Sequence, residues 1–160
     1  MNKALLHQQV IAQLTANLRN AQQAALTAYE TATHEENIAE NKYDTLGLEA
    51  SYLAAGQARR VEEIRQTLAM WEQLRLRPYD AQQGIQLSAL VWLCDAQGAE
   101  TCVFIGPDGA GLKLNLGAQQ IQVISPRAPL GQRLIGSRAG DEIELRLGST
   151  ATTFEILRVL

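Results

Sequence analysis

The stretch Thr33-His34-Glu35-Glu36-Asn37-Ile38-Ala39-Glu40-Asn41 is polar and acidic, and it lies between two long segments with helical periodicity. The acids concentrated here and one turn later are Glu35, Glu36, Glu40 and Asp44. We expect the two flanking segments to form a long antiparallel hairpin whose tip is this stretch. Carboxylates at the end of a narrow stalk could carry negative charge into a place that the rest of the protein cannot enter.

The first flanking segment, from Lys3 to Thr33, contains neither Pro nor Gly. Its seam positions recur at alternating steps of three and four, and they are Ala4, His7, Ile11, Leu14, Leu18, Ala21, Ala25, Ala28 and Ala32. This spacing is typical of a helix that packs along its length against a partner. Because the later seam residues are all Ala, we expect the partner to approach most closely beside residues 21–32. At about 1.5 Å per residue, the helix is roughly 45 Å long.

The second segment, from about Ile38 to Arg77, has the same periodicity but the opposite order of side-chain sizes. Its seam positions are Tyr43, Gly47, Ala50, Ala54, Gln57, Val61, Ile64, Leu68 and Trp71. The small ends of the two seams meet only when the helices run antiparallel, which predicts the hairpin. Gly47 costs about 1 kcal/mol in a helix interior, and close backbone contact on the seam can offset that cost. Pro78 should end the helix.

The turn between the helices can be placed in two ways. Asn37 followed by Glu40 is typical of an N-cap with an acid three residues later. Thr33 followed by Glu36 fits the same pattern. The sequence therefore leaves the turn uncertain by a few residues.

Residues 78–84 have the composition of a linker, and beyond them the period changes from helical to strand-like. The expected strands are 85–94, 101–105, 112–116, 121–124, 142–147 and 152–159. The segment from Pro129 to Ile135 predicts a short helix that Gly136 stops. We expect an α+β chain: an antiparallel coiled-coil hairpin over 1–77, the linker, and an antiparallel sheet with one short helix over 85–160.

Composition argues against several classes of function. A chain of 160 residues with a net charge of −3 lacks the surplus of Lys and Arg that a general nucleic-acid binder needs. No apolar run is long enough for a signal peptide or a membrane span, so we expect a cytoplasmic protein without membrane contact. Cys94 and Cys102 are expected to be reduced core residues rather than a bridge or a zinc site. His7 and His34 are too isolated to suggest a catalytic histidine group.

Several motifs together resemble the Gre family of bacterial transcript-cleavage factors. The C-terminal ones are Ile124-Ser125-Pro126, Leu134-Ile135-Gly136, Gly140-Asp141 and Phe154-Glu155-Ile156, with Phe104-Ile105-Gly106 similar to the strand end before the family's acidic loop. His34 and Glu40-Asn41 are similar to the family's tip region. The resemblance covers most of the chain. It implies an FKBP-like C-terminal domain and a coiled-coil hairpin that enters the secondary channel of RNA polymerase.

The resemblance also implies a role for the tip. In the family, a tip Asp and Glu help to hold a catalytic Mg²⁺ at the polymerase's own active site, and Mg²⁺ prefers carboxylate oxygens. Glu40, followed by Asn41, matches the family Glu, and Glu36 or Asn37 occupies the place of the Asp. Glu40 and Glu36 are therefore the expected Mg²⁺ ligands, in the polymerase complex only, and the protein needs no cofactor of its own.

The family's polymerase-docking loop corresponds to Arg127, Ala128 and Pro129. Ala128-Pro129 stands where the family has Ser-Pro, and Arg127 stands where it has an acid or another polar residue. The implied partner is bacterial RNA polymerase, with nucleic acid contacted only indirectly through the transcription complex. We expect a monomer that has no catalytic residues of its own and at most stimulates the polymerase's intrinsic RNA cleavage.

Other interpretations stay open. The tip acids could be a solvated helix turn, with Glu40 as a capping residue and Asp44 as an ordinary exposed helix position. The protein could occupy the polymerase channel as a regulator without stimulating cleavage. It could also be a coiled-coil adaptor unrelated to transcription, or an FKBP-like prolyl isomerase or chaperone. The C-terminal half offers few aromatic residues for a prolyl-binding pocket, and Trp71 and Trp92 are interpreted as packing residues.

Overall fold

The computed structural model describes residues 3–38, 46–109 and 111–160, and side chains within these ranges except at 35–38, 46–47 and 50. The elements in chain order are α1 (Lys3–Ile38), α2 (Leu46–Glu72), β1 (Leu90–Asp95), β2 (Glu100–Ile105), β3 (Lys113–Leu116), β4 (Gln119–Ile124), α3 (Pro129–Leu134), β5 (Glu142–Leu147) and β6 (Thr150–Val159). This order confirms the predicted α+β class, with an N-terminal helical hairpin before a sheet that carries one short helix.

Helices α1 and α2 run antiparallel. Residues 39–45 connect the two helices and can span at most about 28 Å. This reach is about half the length of α1, whose 36 residues extend over about 54 Å. At the opposite end, Nε2 of His7 donates a 2.6 Å hydrogen bond to the carbonyl oxygen of Trp71. The Lys3 ammonium likewise donates to the carbonyl oxygen of Arg77. The first turns of α1 therefore lie beside the end of α2, as the opposite size gradients of the two seams predicted.

By its internal contacts the chain divides into two compact units. One unit combines Met1–Val10 with Met70–Leu160, and the other is Ile11–Ala69. Among the side chains of the second unit that the structure describes, the buried hydrophobic ones are Leu14, Ala21, Ala28, Ala32 and Ile64, all at predicted seam positions. Three of the five are Ala, so the two helices of this unit can approach each other closely. The domain boundaries predicted from the sequence, at 1–77, 78–84 and 85–160, stay predictions.

The structure corrects the predicted helix ends near the turn. Helix α1 continues to Ile38, so Thr33 and Asn37 both lie inside it and neither is the N-cap of the second helix. Within the described residues α2 begins at Leu46. The capping interpretation of Glu40 concerns a residue that lies outside the described ranges.

Helix α2 ends at Glu72, earlier than the predicted stop at Pro78. Its final carbonyls find other partners: Trp71 O accepts the Leu74 N–H at 3.2 Å as well as the His7 ring. Further along, the Arg77 N–H donates to Oγ of Ser88 at 3.0 Å. A local turn and tertiary hydrogen bonds thus replace helical ones before the proline is reached, and the sequence carried no local signal for the tertiary bonds.

The sheet has the strand order β3-β4-β2-β1-β6-β5. All neighbouring pairs are antiparallel except β2 and β4, which are parallel. The prediction of a wholly antiparallel sheet was therefore wrong at this pair. The chain reverses once between β2 and β3 and again in the β3–β4 hairpin, and β4 rather than β3 then pairs with β2. Two reversals restore the original strand direction.

The first strand begins later than predicted, at Leu90 rather than Ile85. Ser88 has a φ of 75°, a left-handed conformation that few residues other than Gly adopt, and this conformation interrupts an extended strand. Ile85 instead pairs with a loop: its N–H donates to Ser137 O at 2.7 Å, and its carbonyl accepts the Gly136 N–H at 2.8 Å. These two hydrogen bonds attach the segment before β1 to the loop that follows α3.

Within the first unit, one face of the sheet and the β1–β4 part of the other face are buried. One face and α3 form a core of Ile85, Ala89, Val91, Leu93, Val103, Ile105, Leu134, Ile143, Ile156 and Val159. On the other face, Leu90, Phe104, Leu114 and Ile121 of strands β1 to β4 are fully buried, whereas the alternate residues of β5 and β6 are mostly exposed. Trp71 lies on this second face, with its ring centroid 5.8 Å from that of Phe104. The first turns of α1, with fully buried Leu6 and Val10, belong to the same unit.

Candidate functional site

The predicted docking loop, Arg127-Ala128-Pro129, forms the entry to α3. Ala128 has an extended backbone (φ −65°, ψ 149°), and Pro129 is at the first turn of the helix, where its fixed φ is already helical. No side chain of Ala128 caps the helix; the Gln132 N–H instead donates to Ala128 O, and Gln132 Nε2 donates to Arg127 O, both at 2.9 Å. These bonds hold the backbone while 76% of the Arg127 side chain remains exposed.

Gly131 explains why the docking loop can pack so closely. A Cβ atom at this position would lie 2.0 Å from the carbonyl oxygen of Ser125. That oxygen also accepts the Ala128 N–H at 3.1 Å, and Ser125 itself is buried. Only Gly lets the first turn of α3 rest on the end of β4, so this residue sets the position of the loop.

Arg127 reaches a second loop, which follows β2. Its guanidinium lies 3.7 Å from Oδ1 of Asp108, and the Asp108 side chain is 36% exposed. The same carboxylate oxygen accepts the Gly109 N–H at 2.8 Å. An ion pair this exposed contributes at most about 1 kcal/mol, so it orients Arg127 without immobilising it. The sequence separates these two residues widely and offered no signal for the contact.

Trp71 packs against the loop that contains Asp108. Its indole Nε1–H donates to the carbonyl oxygen of Asp108 at 3.0 Å, and its ring lies 6.1 Å from that of His7. A Cβ at Gly106 would lie 2.1 Å from atoms of the indole, so Gly106 is what allows the ring to lie under the loop. Sequence reasoning treated Trp71 only as a packing residue and missed this polar contact.

A largely apolar groove adjoins the docking loop at Pro126, which immediately precedes Arg127. Two adjoining grooves share Gln86 and Leu87. The first groove is lined by Met70, Gln73, Leu74, Arg75, Arg77, Gln86, Leu87 and Pro107, and the second by Gln83, Ile85, Gln86, Leu87, Pro126, Ile135 and Gly136. The charged residues lining them are arginines. Together with exposed Arg127, this arrangement suits contact with a protein surface that offers apolar side chains and carboxylates.

The structure places only part of the acidic tip. Glu35 and Glu36 belong to the last turn of α1, a turn that contains no basic residue. Their side chains are not described, and Glu40 and Asp44 lie outside the described residues. A carboxylate at a helix C-terminus opposes the helix dipole at a cost of about 0.3–1 kcal/mol. Two acids at this end are therefore not explained by the local stability of α1.

The two thiols are unsuited to nucleophilic chemistry. Burial raises the pKa of Cys102 to about 12. The pKa of Cys94 is raised by desolvation and by the negative charges of Glu100, Asp95 and Glu155. Both cysteines are free; Cys102 is buried, as predicted for a core residue, whereas Cys94 is only partly buried.

Two further searches of the described ranges are negative. They contain no group of three or more His, Cys, Asp and Glu side chains that could hold a metal ion. No helix in the part of the chain that the structure describes combines the length and the apolar character needed to cross a membrane.

Residues 83–160 match the family model described as "Transcription elongation factor, GreA/GreB, C-term". Solved structures similar to the chain include GreA factor homolog 1 (Gfh1) of Thermus thermophilus, at 21% identity over 94% of both chains with a TM-score of 0.38. Gfh1 of Thermus aquaticus has 23% identity over 92% of both chains and a TM-score of 0.38. A GreA/GreB factor of Nitrosomonas europaea has 19% identity, over 64% of this chain and 90% of that one, and a TM-score of 0.36.

No protein with curated annotation matches the chain. The family-model match nevertheless spans every strand and α3. It includes the predicted docking loop at Arg127-Ala128-Pro129 and the C-terminal motifs of the resemblance, but not His34 or Glu40-Asn41. Residues 83–160 therefore match the C-terminal domain of the GreA/GreB transcription elongation factors, and the Gre-type resemblance predicted from the sequence is confirmed for this part of the chain.

Proposed function

We propose that this protein is a transcription elongation factor that binds bacterial RNA polymerase and inserts its helical hairpin into the secondary channel. The observation that carries the proposal is the GreA/GreB match over residues 83–160, on a chain whose N-terminal part is an antiparallel helix pair. The protein contributes no catalysis of its own and acts on the polymerase's RNA cleavage. It works in the cytoplasm and contacts nucleic acid only within the transcription complex.

Docking is assigned to the C-terminal domain. The loop at Arg127-Ala128-Pro129 is held by backbone hydrogen bonds at the entry to α3. An apolar groove that includes Pro126 lies beside it, and Arg127 carries a positive charge that the exposed Asp108 pair only partly neutralises. We infer that the polymerase surface facing Arg127 is acidic. This charge preference would distinguish the protein from family members with an acid at the corresponding position.

The tip acids Glu35, Glu36, Glu40 and Asp44 are assigned to the polymerase active site. Glu35 and Glu36 stand at the end of α1 that least favours negative charge, which supports a role outside the helix itself. Glu40 and Glu36 are proposed as ligands for a Mg²⁺ ion shared with the polymerase, because carboxylates are the side chains that this ion prefers. The metal would supply activation of water for phosphodiester hydrolysis.

A transcript-cleavage assay on backtracked polymerase complexes tests this function. Wild-type protein should raise cleavage above the polymerase background, and Glu40→Ala should lose most of that increase while its binding to polymerase is unchanged. Glu63→Ala is a matched control, since Glu63 is an exposed acid on α2 far from the tip in sequence. Equal stimulation by wild type and Glu40→Ala would refute the metal role.

A second candidate function is regulation by occupying the channel without stimulating cleavage. The residue at the position of the family's tip Asp favours this function. That position is occupied here by Glu36 or Asn37, and both lie within α1. This regulator would bind core polymerase as tightly as a cleavage factor but leave backtracked transcripts uncut. The same assay, run beside a binding measurement, separates the two functions.

A further inference from the structure

The two edges of the sheet differ in how they are covered. In the part of the chain that the structure describes, β3 and β5 are the outer strands. At the β3 edge, the side chain of Gln9 pairs with both backbone polar groups of Asn115. At the β5 edge, the side chains of Glu144 and Arg146 are 49% and 74% exposed. An outer strand presents its outward N–H and C=O groups as a template for another strand, so β5 is where the sheet can be extended.

The β5–β6 turn determines which backbone groups of β5 point outward. Leu147 is paired with Thr150 across a two-residue turn, and the residues that close such a turn are hydrogen-bonded to each other. Hydrogen-bonded and non-hydrogen-bonded pairs alternate along an antiparallel ladder. Counting back from Leu147, every second residue bonds to β6. The N–H and C=O groups of Glu144 and Arg146 therefore point away from β6, toward the edge.

The charges of β5 complement those of a second β5 strand in one register. A two-fold antiparallel pairing must match outward-pointing residues with outward-pointing residues. When Leu145 lies opposite Leu145 of the second copy, Glu144 of each copy lies opposite Arg146 of the other. The two neighbouring registers of this kind would place Glu144 opposite Glu144, or Arg146 opposite Arg146. Opposite charges that face each other across two strands stabilise the pair and like charges destabilise it, so charge favours the first register.

We propose that β5 pairs with β5 of a second copy of this chain, with Leu145 on the two-fold axis, and joins the two sheets into one. Each Glu144–Arg146 pair between the copies exchanges both of its main-chain hydrogen bonds. In the single chain, Nε of Arg146 donates to Oε1 of Glu144 at 2.9 Å, and in the dimer both side chains gain a partner across the strands. A matching strand needs a base opposite Glu144 and an acid opposite Arg146, and β5 itself meets both conditions. The inference does not depend on the proposed function.

The α3 face of β5 adds apolar contact in the same register. Ile143, Leu145 and Leu147 alternate with the charged residues and share this face. Leu147 is 60% exposed in the single chain, and in the dimer it lies opposite Ile143 of the second copy. Ile143 belongs to the buried core beside α3. The pairing therefore covers an exposed leucine and makes the cores of the two copies continuous.

The assembly should be weak and should close at two copies. A two-fold contact uses the same strand on both copies, and the outer strands of the joined sheet are then the two β3 strands, where Gln9 pairs with the edge. The contact consists of one short strand from each copy, which is typical of interfaces below about 1,200 Å² in total. We expect a concentration-dependent dimer, of which the monomer predicted from the sequence is the dilute form.

Sedimentation velocity of the full chain, from micromolar to near-millimolar concentration, tests the proposal. Wild-type protein should shift from monomer to dimer as concentration rises. Glu144→Arg and Arg146→Glu each bring like charges together at both cross-strand pairs and should weaken dimerisation by about tenfold or more. Glu142→Arg is the matched control, because it makes the same charge change at an exposed position of β5 that lies opposite the turn residue Gly148 in this register. It should dimerise like wild type.

An equal mixture of the two single variants tests the register itself. In the mixture, the basic residues of the Glu144→Arg chain face the acidic residues of the Arg146→Glu chain, so a mixed dimer should form although each variant alone stays largely monomeric. The double variant Glu144→Arg with Arg146→Glu restores the match within one chain and should dimerise like wild type. Circular dichroism shows whether each variant keeps its fold, and the double variant decides should a single one lose structure.

A wild-type chain that stays monomeric over the whole range would overturn the proposal. So would folded single variants whose mixture forms no mixed dimer, or a double variant that dimerises no better than the single ones. Equal weakening by Glu142→Arg and Glu144→Arg would also contradict the register.

Discussion

The indole N–H of Trp71 donates a 3.0 Å hydrogen bond to the carbonyl oxygen of Asp108. This bond joins the last turn of α2 to the loop whose carboxylate faces Arg127 at 3.7 Å. The predicted docking loop is thus connected to α2 through two contacts, a part-buried hydrogen bond and an exposed ion pair. The residues that we expect to bind polymerase therefore depend on packing at Trp71.

Trp71 should be a major source of stability in the C-terminal unit. Its side chain is fully buried, so Trp71→Ala should lower the free energy of unfolding by about 3–5 kcal/mol. Trp71→Phe keeps much of the apolar contact and should cost less. Met70→Ala changes the neighbouring residue, which is 38% exposed, and should cost well under half as much as Trp71→Ala. Urea denaturation followed by circular dichroism measures all three, and an equal loss from Met70→Ala would contradict this assignment.

Two glycine substitutions should have opposite effects. Gly106→Ala places a Cβ 2.1 Å from the Trp71 ring, and relief of that overlap should destabilise the protein by about 1–3 kcal/mol or more. Gly56→Ala lies within α2, where a Cβ would have no atom within 4 Å. It should stabilise the protein by up to about 1 kcal/mol through helix propensity. Thermal denaturation of the two variants measures both effects. A melting temperature of Gly106→Ala equal to that of wild type would contradict the structure.

Gln9 should protect the edge of the sheet. Its side-chain amide donates to Asn115 O at 2.8 Å and accepts the Asn115 N–H at 3.2 Å, so it pairs with edge strand β3 as another strand would. Gln9→Ala should cost about 1 kcal/mol and speed hydrogen exchange of the Asn115 amide. Gln8→Ala alters an exposed neighbour and should leave that exchange rate unchanged. NMR-detected hydrogen exchange of the Asn115 amide tests this prediction. Equal exchange rates in wild type and Gln9→Ala would disprove the contact.

The thiols should react at very different rates. Cys102 is buried and its pKa is raised to about 12, whereas Cys94 is partly exposed. At pH 8 a thiol reagent should modify Cys94 first and Cys102 only as the protein unfolds. Cys94→Ala should remove the fast phase and Cys102→Ala the slow one. A rapid phase that persists in Cys94→Ala would contradict the buried, protonated state of Cys102.

The same shift predicts how stability depends on pH. Folding raises the pKa of Cys102, so the folded chain holds this proton more tightly than the unfolded one. Its contribution is complete below the unfolded value of about 8.5 and is lost as pH rises toward the folded value of about 12. The urea concentration at the denaturation midpoint should therefore decrease as pH rises through this alkaline range. Cys102→Ala should make that decrease smaller.

The hairpin was predictable because its signal is periodic and repeated. The alanines at 21, 28 and 32 are buried, and the opposite size gradients indicated the antiparallel direction correctly. The end of α2 was not predictable, because the partners of its last carbonyls come from His7 and from a turn rather than from a local breaker. The parallel pairing of β2 with β4 was not predictable either. The alternation of hydrophobic and polar residues indicates which face of the sheet a residue occupies, but not which strand lies next to its own.

For the candidate site, motifs indicated a docking loop, whose docking role stays a prediction, but not the surroundings of that loop. Arg127-Ala128-Pro129 was identified by resemblance, and Pro129 indeed opens α3. The contact of Arg127 with Asp108 and the support from Trp71 arise from tertiary packing, which no local pattern records. The roles assigned to the tip acids stay predictions.

Photo-crosslinking to core RNA polymerase tests the central claim most directly. A photo-crosslinking amino acid would replace His34, an exposed residue of α1 that precedes the tip acids, and in a control protein would replace exposed Glu144 of β5. The account predicts that the probe at His34 attaches to polymerase segments lining the secondary channel near the active site, and that the control does not. Binding to core polymerase without any channel crosslink from His34, or no binding at all, would contradict it.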